Sequence, residues 1–132
     1  MRMSEQARKA VEGSIAHWKR LLEARSKNAI RKEGFKSKSC PLCDVFIDRV
    51  DLDSTELYCD GCPIRKVTGR VLCRGTPYAD ASNNLHAYLH KSGAKLKRAP
   101  LNKEYEFLKS LLTLTPKQIR KKFAIERIRD IW

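Results

Sequence analysis

Two cysteine pairs constrain this chain more than any other feature. Cys40-Pro-Leu-Cys43 and Cys59-Asp-Gly-Cys62 are both C-x2-C turns, with 15 residues between them. In such a turn the backbone N–H groups point at the sulfurs, and both thiolates can face one cation. Two turns supply four sulfurs in a tetrahedron, the set that Zn²⁺ accepts at about 2.3 Å. The spacing matches that of paired C-x2-C zinc sites, and Pro41 and Gly61 suit the turns sterically. Four sulfurs close the coordination sphere, whereas a catalytic zinc keeps one position for water, so the expected site is structural. Binding of this kind contributes on the order of 10–16 kcal/mol. The apolar residues nearby, Val45, Phe46, Ile47, Leu57 and Tyr58, are too few to form a core without it.

Other uses of the cysteines fit less well. Five cysteines is an odd count, and the polar, acidic start Met1-Arg2-Met3-Ser4-Glu5 has no apolar segment of a secretory signal. The expected address is therefore a reducing cytoplasm, where structural disulfides are rare. A redox C-x2-C pair would sit in a βαβ pattern, which is missing. An iron–sulfur cluster also takes four thiolates and stays open on spacing alone. Cys73 follows Cys62 by 11 residues and is a candidate substitute for one of the four ligands, first of all Cys59.

Charge is distributed unevenly around this motif. The chain carries +13 overall; residues 1–39 contribute +7, residues 40–62 contribute −5 and residues 63–132 contribute +11. An acidic cysteine hairpin is thus flanked by basic segments. A surface of this sign attracts polyanions, nucleic acid first and an acidic protein surface second. At 132 residues, with 42% hydrophobic and 33% charged side chains, the chain fits one folded domain and not a disordered segment. No apolar run approaches the roughly 20 residues of a membrane helix.

Hydrophobic periodicity supplies the architecture. Ser4 caps a helix over 4–25, on which Ala7, Val11, Ile15, Trp18 and Leu22, with Ala10 and Leu21, recur at helical spacing. Trp18 is expected in the core, and His17, off that stripe, at a boundary or exposed. Residues 26–39 read as a basic connector, and Val45-Phe46-Ile47 and Leu57-Tyr58 as short β-prone pieces beside the cysteines. Thr76-Pro77 opens a helix over 77–91 with Ala81, Leu85 and Leu89 inward, ending by Gly93. After a basic break at 95–100, Asn102 caps a helix over 103–112 with Tyr105, Leu108, Leu111 and Leu112 inward. Thr115-Pro-Lys-Gln118 is a capping box that starts a last helix to Trp132, with Ile119, Phe123, Ala124, Ile128 and Ile131 on one face. The expected fold is mainly α, about four helices with a small zinc-stabilised irregular or β-knuckle insert. Within the single domain 1–132, this gives an N-terminal helix (4–25), a cysteine insert (40–75), a helical region (76–112) and a basic C-terminal helix (113–132).

The strings C-P-L-C at 40–43, C-x-G-C-P-I at 59–64 and T-G-x3-C-x-G-T-P-Y at 68–78 resemble a family of small bacteriophage-encoded proteins. The similarity reaches Ser14-Ile-Ala-His17-Trp18 upstream and Glu106-Phe-Leu-Lys-Ser-Leu111 downstream, and its five cysteines match 40, 43, 59, 62 and 73. The resemblance implies a phage source, hence a host cytoplasm, and a metal site, with nothing catalytic. The acidic loop 48–56 and the tail 113–132 are additional to that pattern.

Remaining signals concern function. His86 and His90 stand at i, i+4 on one helix face but have no third ligand nearby in sequence, so a solvent- or nucleic-acid-facing pair is expected. Helices over 103–112 and 116–131 resemble part of a helix-turn-helix, with Lys117, Arg120, Lys121, Lys122 and Arg127 on the polar side; a third helix is missing. No zinc-deaminase H-x-E, P-loop, G-x-S-x-G or EF-hand pattern is present, so an enzyme is not expected, with a metal-dependent nuclease as the residual case. The leading expectation is a zinc-binding accessory protein that contacts DNA or RNA phosphates through Lys95, Lys97, Arg98, Lys117, Arg120, Lys121 and Lys122. The rival is a non-enzymatic inhibitor or adaptor directed at a host protein.

Overall fold

In a computed structural model, residues 3–35, 41–46, 62–70 and 73–127 are described, residues 43–45 by backbone alone. The chain is mainly helical. Seven helices occur in order: α1 Glu5–Glu23, α2 Lys27–Glu33, α3 Pro41–Phe46, α4 Pro63–Thr68, α5 Tyr78–His90, α6 Arg98–Thr113 and α7 Pro116–Phe123, and no strand occurs among the described residues. None of these helices is long and apolar enough to cross a membrane.

The centre of the molecule is the pairing of α1 with α6, against which α3 and α5 pack. Ser4 caps α1 through its hydroxyl, which accepts from Ala7 N at 3.1 Å. The buried face of α1 is Ala7, Ala10, Val11, Ser14, His17, Trp18 and Leu21. Steps of three and four residues keep that face on one side of a 3.6-residue helix. It passes through two polar positions, so His17 is only 2% exposed, whereas Ile15 and Leu22 are half-buried. The boundary position expected for His17 is corrected accordingly. Trp18 is in the core, edge-on to the Tyr78 ring at 6.1 Å, and the Tyr78 hydroxyl donates to Phe35 O at 2.9 Å.

Three short helices replace segments read as irregular or β-prone. The connector 26–39 contains α2, bracketed by Ser26, whose hydroxyl accepts from Ala29 N, and by Gly34 at φ 74°; Ile30 is its single buried residue. Val45 and Phe46 lie in α3 and not in an extended piece. Both α3 and α4 begin with proline directly after a cysteine, at 40–41 and 62–63. Proline there has no N–H to lose and its φ is already helical. Ile47, Leu57, Tyr58 and the acidic loop 48–56 lie outside the described residues.

The later helices differ at their ends. α5 starts one residue past Pro77; the Thr76 hydroxyl accepts from Tyr78 N at 3.3 Å and donates to Cys73 O at 2.7 Å, and Ala81, Leu85 and Leu89 are buried. α6 starts at Arg98, five residues before the expected position, because Pro100 falls in its first turn, where the N–H groups have no helical acceptor. The capping box of α7 is present in both directions, Gln118 N to Thr115 Oγ1 at 3.2 Å and Thr115 N to Gln118 Oε1 at 2.9 Å. This helix ends at Phe123 and does not run to Trp132. Ala124 turns left-handed at φ 53°, Ile125 N bonds back to Arg120 O at 2.8 Å, and the Ile125 side chain is buried. That pattern is a Schellman-type stop closed by an apolar residue. Ile128 and Ile131 lie outside the described residues.

Candidate metal centre and basic surfaces

The helices next to the cysteine pairs are docked on different partners. α3 lies on α1, and Gly13 makes room for it: a Cβ at that position would stand 3.2 Å from Pro41 Cγ. Leu42 is buried in the same contact, so the turn that leads to Cys43 has a fixed seat. α4 lies on α7 instead, with Ile64 and Val67 buried and Arg120 donating to Val67 O at 3.1 Å. Thr68 closes α4, donating to Ile64 O and accepting from Arg70 N at 3.0 Å. Cys62, the residue before α4, is 4% exposed. Cys73 is half-buried in the turn before α5, at φ 60°, a left-handed conformation that few non-glycine residues adopt. Cys40, Cys59 and the side chain of Cys43 lie outside the described residues. Of the four expected ligands the structure therefore describes the side chain of Cys62, with the candidate substitute Cys73 on the other side of α4 in the chain. Cys62 packs in the hydrophobic core, and among the described residues no group of three or more His, Cys, Asp or Glu side chains is placed to hold a metal ion.

The basic residues do not form one surface. α6 has 16 residues, about 24 Å of axis. Lys95, Lys97 and Arg98 stand at its N-terminal end, and Lys117, Arg120, Lys121 and Lys122 follow its C-terminal end. The seven cations named from sequence thus divide into two patches. Nor are they equivalent within each patch. The Arg98 guanidinium donates to Leu22 O and, at 3.1 Å, to Ala24 O, closing the C-terminus of α1. Arg120 does the same for α4, and Arg31 for α5 through Leu89 O at 3.4 Å. Helix C-termini expose unpaired carbonyls with partial negative charge, which a cation satisfies. By contrast Lys95, Lys97, Lys117, Lys121 and Lys122 are exposed and form no ion pair among the described residues. The side chain of Asn84 grips the Lys97 backbone on both sides, donating to its carbonyl at 2.6 Å and accepting from its N–H at 3.2 Å.

Two histidine arrangements complete the picture. His86 and His90 are exposed, with ring centroids 4.5 Å apart. His17 has a partner that its sequence position gave no sign of: its Nδ1 lies 2.9 Å from Glu33 Oε2, and Arg20 makes a forked contact with the same carboxylate. Burial works to raise the Glu33 pKa, but the hydrogen bonds from Arg20 and His17, with their charges, outweigh it and hold the carboxyl below its ordinary value. A ring 2% exposed gives a substrate no access, so this trio fastens α2 to α1.

Comparison with family models, with curated proteins and with solved structures finds no match.

Proposed function

We propose that this chain is a small phage-type accessory protein whose fold is tied by zinc and whose lysines bind nucleic acid. The zinc would be held by Cys40, Cys43, Cys59 and Cys62, with Cys73 beside them as the candidate substitute. Support for the metal comes from the paired C-x2-C spacing and from the seats of α3 and α4. One cysteine turn rests on α1 and the other leads into a helix resting on α7. A single ion joining them would link the helices packed on α1 to those packed on α7. The ion supplies cross-linking and no chemistry on a substrate.

The observation that carries nucleic-acid binding is the set of five lysines, exposed before α6 and on α7 and not neutralised among the described residues, in a chain of net charge +13. Phosphate contacts of this kind carry little sequence information and release counterions. The test is filter binding of labelled single-stranded and duplex oligonucleotides by the zinc-loaded, nuclease-treated protein at two salt concentrations. Binding should fall steeply as salt rises; undetectable or salt-insensitive binding would refute the reading. Elemental analysis of the same preparation should give one zinc per chain.

A further inference from the structure

We infer that the groove between the α1–α2 turn and the α5–α6 connector is a subsite for a single nucleic-acid strand, with Tyr88 as the platform for a base. This inference rests on the nucleic-acid reading above and names the surface and the form of the ligand.

The groove is a half-open cavity of about 300 Å³ lined by Arg25, Ser26, Tyr88, Lys95, Leu96 and Arg98 among others, and none of its lining residues is Asp or Glu. Arg25 and Lys95 are exposed and make no hydrogen bond or ion pair among the described residues. Lys27, which is not part of this lining, lies over the ring, its ammonium 5.1 Å from the Tyr88 ring centroid. Two exposed cations therefore share a cavity with a half-buried aromatic ring, and a third lies over that ring. The walls themselves are fixed. Arg98 ties the connector to the end of α1, Asn84 holds the backbone of Lys97, and Arg31 ties α2 to the end of α5.

This combination differs from the other basic patch. Lys117, Lys121 and Lys122 lie exposed on one short helix, beside the half-buried ring of Phe123, which Lys122 covers at 5.6 Å. A flat row of lysines reads phosphates of any polyanion. A positive groove with an aromatic ring in its lining suits a single strand, because a base can leave the backbone and stack while the phosphates stay with the cations. A duplex keeps its bases stacked inside and has no group to offer the ring. Lys27 is already drawn to the ring face as a cation; a phosphate would draw it to the rim and leave that face for a base.

The test is fluorescence anisotropy with a labelled oligothymidylate strand and a duplex of the same length, on the zinc-loaded full chain. The wild type should bind the strand more tightly than the duplex. Tyr88→Leu should weaken strand binding about 5- to 150-fold, the range of one base–aromatic stack, with an unchanged salt slope. Tyr88→Phe should bind like the wild type, and a thermal melt checks that both variants fold. Arg25→Gln with Lys95→Gln should reduce the log–log salt slope by about 1.4, two single-strand phosphate contacts. If Lys117→Gln, Lys121→Gln and Lys122→Gln together abolish binding while the groove variants do not alter it, the groove is refuted and the nucleic-acid reading stands. Equal affinity for strand and duplex also refutes the groove. A wild type that binds neither oligonucleotide overturns both.

Discussion

Replacing Glu33 by alanine should cost about 2 kcal/mol at neutral pH, and the cost should shrink in acid. The Glu33 carboxylate is 20% exposed and serves two donors of different kinds. The His17 side chain is 3% exposed, so its Nδ1–H would be left buried without an acceptor, a loss of about 1–3 kcal/mol. Arg20 is 59% exposed and would be rehydrated, so its share is about 0–1 kcal/mol. A loss near 2 kcal/mol is a sizeable part of the 5–15 kcal/mol typical of a domain and lowers the melting midpoint by about 5–10 °C. The pKa of Glu33 is depressed in the folded chain, so its contribution is present above the ordinary carboxyl value of 4.5 and is lost as pH falls through the folded value. Urea unfolding of wild type and variant at pH 7 and at stepwise lower pH measures the gap. Thiolate protonation and metal release also depend on pH, but they act on both proteins and cancel in the difference. Glu33→Gln keeps a neutral acceptor for His17, so it should cost less and vary little with pH. A gap below about 0.5 kcal/mol at pH 7 would refute the trio as a fastening, and a gap that stayed constant into acid would assign the loss to packing.

Two further substitutions test the seats of the cysteine helices. Arg120→Met keeps the aliphatic stem but removes the donor to Val67 O, and should cost about 1–2 kcal/mol by the loss of a charged hydrogen bond at a helix end. Denaturant unfolding measures it, and a stability equal to wild type would show that α4 needs no such contact. Gly13→Leu places a side chain where a Cβ alone already approaches Pro41 to 3.2 Å, so it should destabilise by about 1–3 kcal/mol through overpacking. The same substitution at an open helix position would stabilise, so an increase in the melting midpoint would show that α3 is not seated on α1.

What the sequence made legible was what local chemistry decides. The capping box at Thr115 and Gln118 involves residues three apart and is present as read, and the 3.6-residue spacing of Ala81, Leu85 and Leu89 marks the buried side of α5. Trp18 was legible for the same reason. The misses depend on distant partners. His17 is buried because Glu33, 16 residues on, supplies an acceptor for its ring N–H. Without that knowledge a polar residue between apolar ones reads as a boundary, although the 10, 14, 17, 21 spacing through it was regular. α3 contains β-prone Val45 and Phe46 but is seated by Pro41 and Leu42 against α1, and tertiary packing overrides propensity. The early end of α7 turns on a left-handed alanine, a conformation the residue type disfavours, held by the burial of Ile125. Of the candidate metal ligands Cys40, Cys43, Cys59 and Cys62, the structure describes the side chain of Cys62, and it also describes the candidate substitute Cys73.

Under the proposed function the positive charge of this protein has two physical uses, and they divide largely by residue type. Arg31, Arg98 and Arg120 point their guanidinium groups at carbonyls that end α5, α1 and α4. A planar fork of donors suits paired carbonyl oxygens and is weakly hydrated, so it can be withdrawn from water at modest cost. The ammonium of lysine is compact and strongly hydrated, and at positions 95, 97, 117, 121 and 122 it stays in solvent where a polyanion can reach it. Two of the seven cations that the sequence nominated for phosphate contact thus hold the fold together. Their loss would lower binding in an assay only by unfolding the surface that binds. Lysine substitutions should move affinity and salt dependence with stability unchanged, whereas substitutions of these three arginines should move stability first.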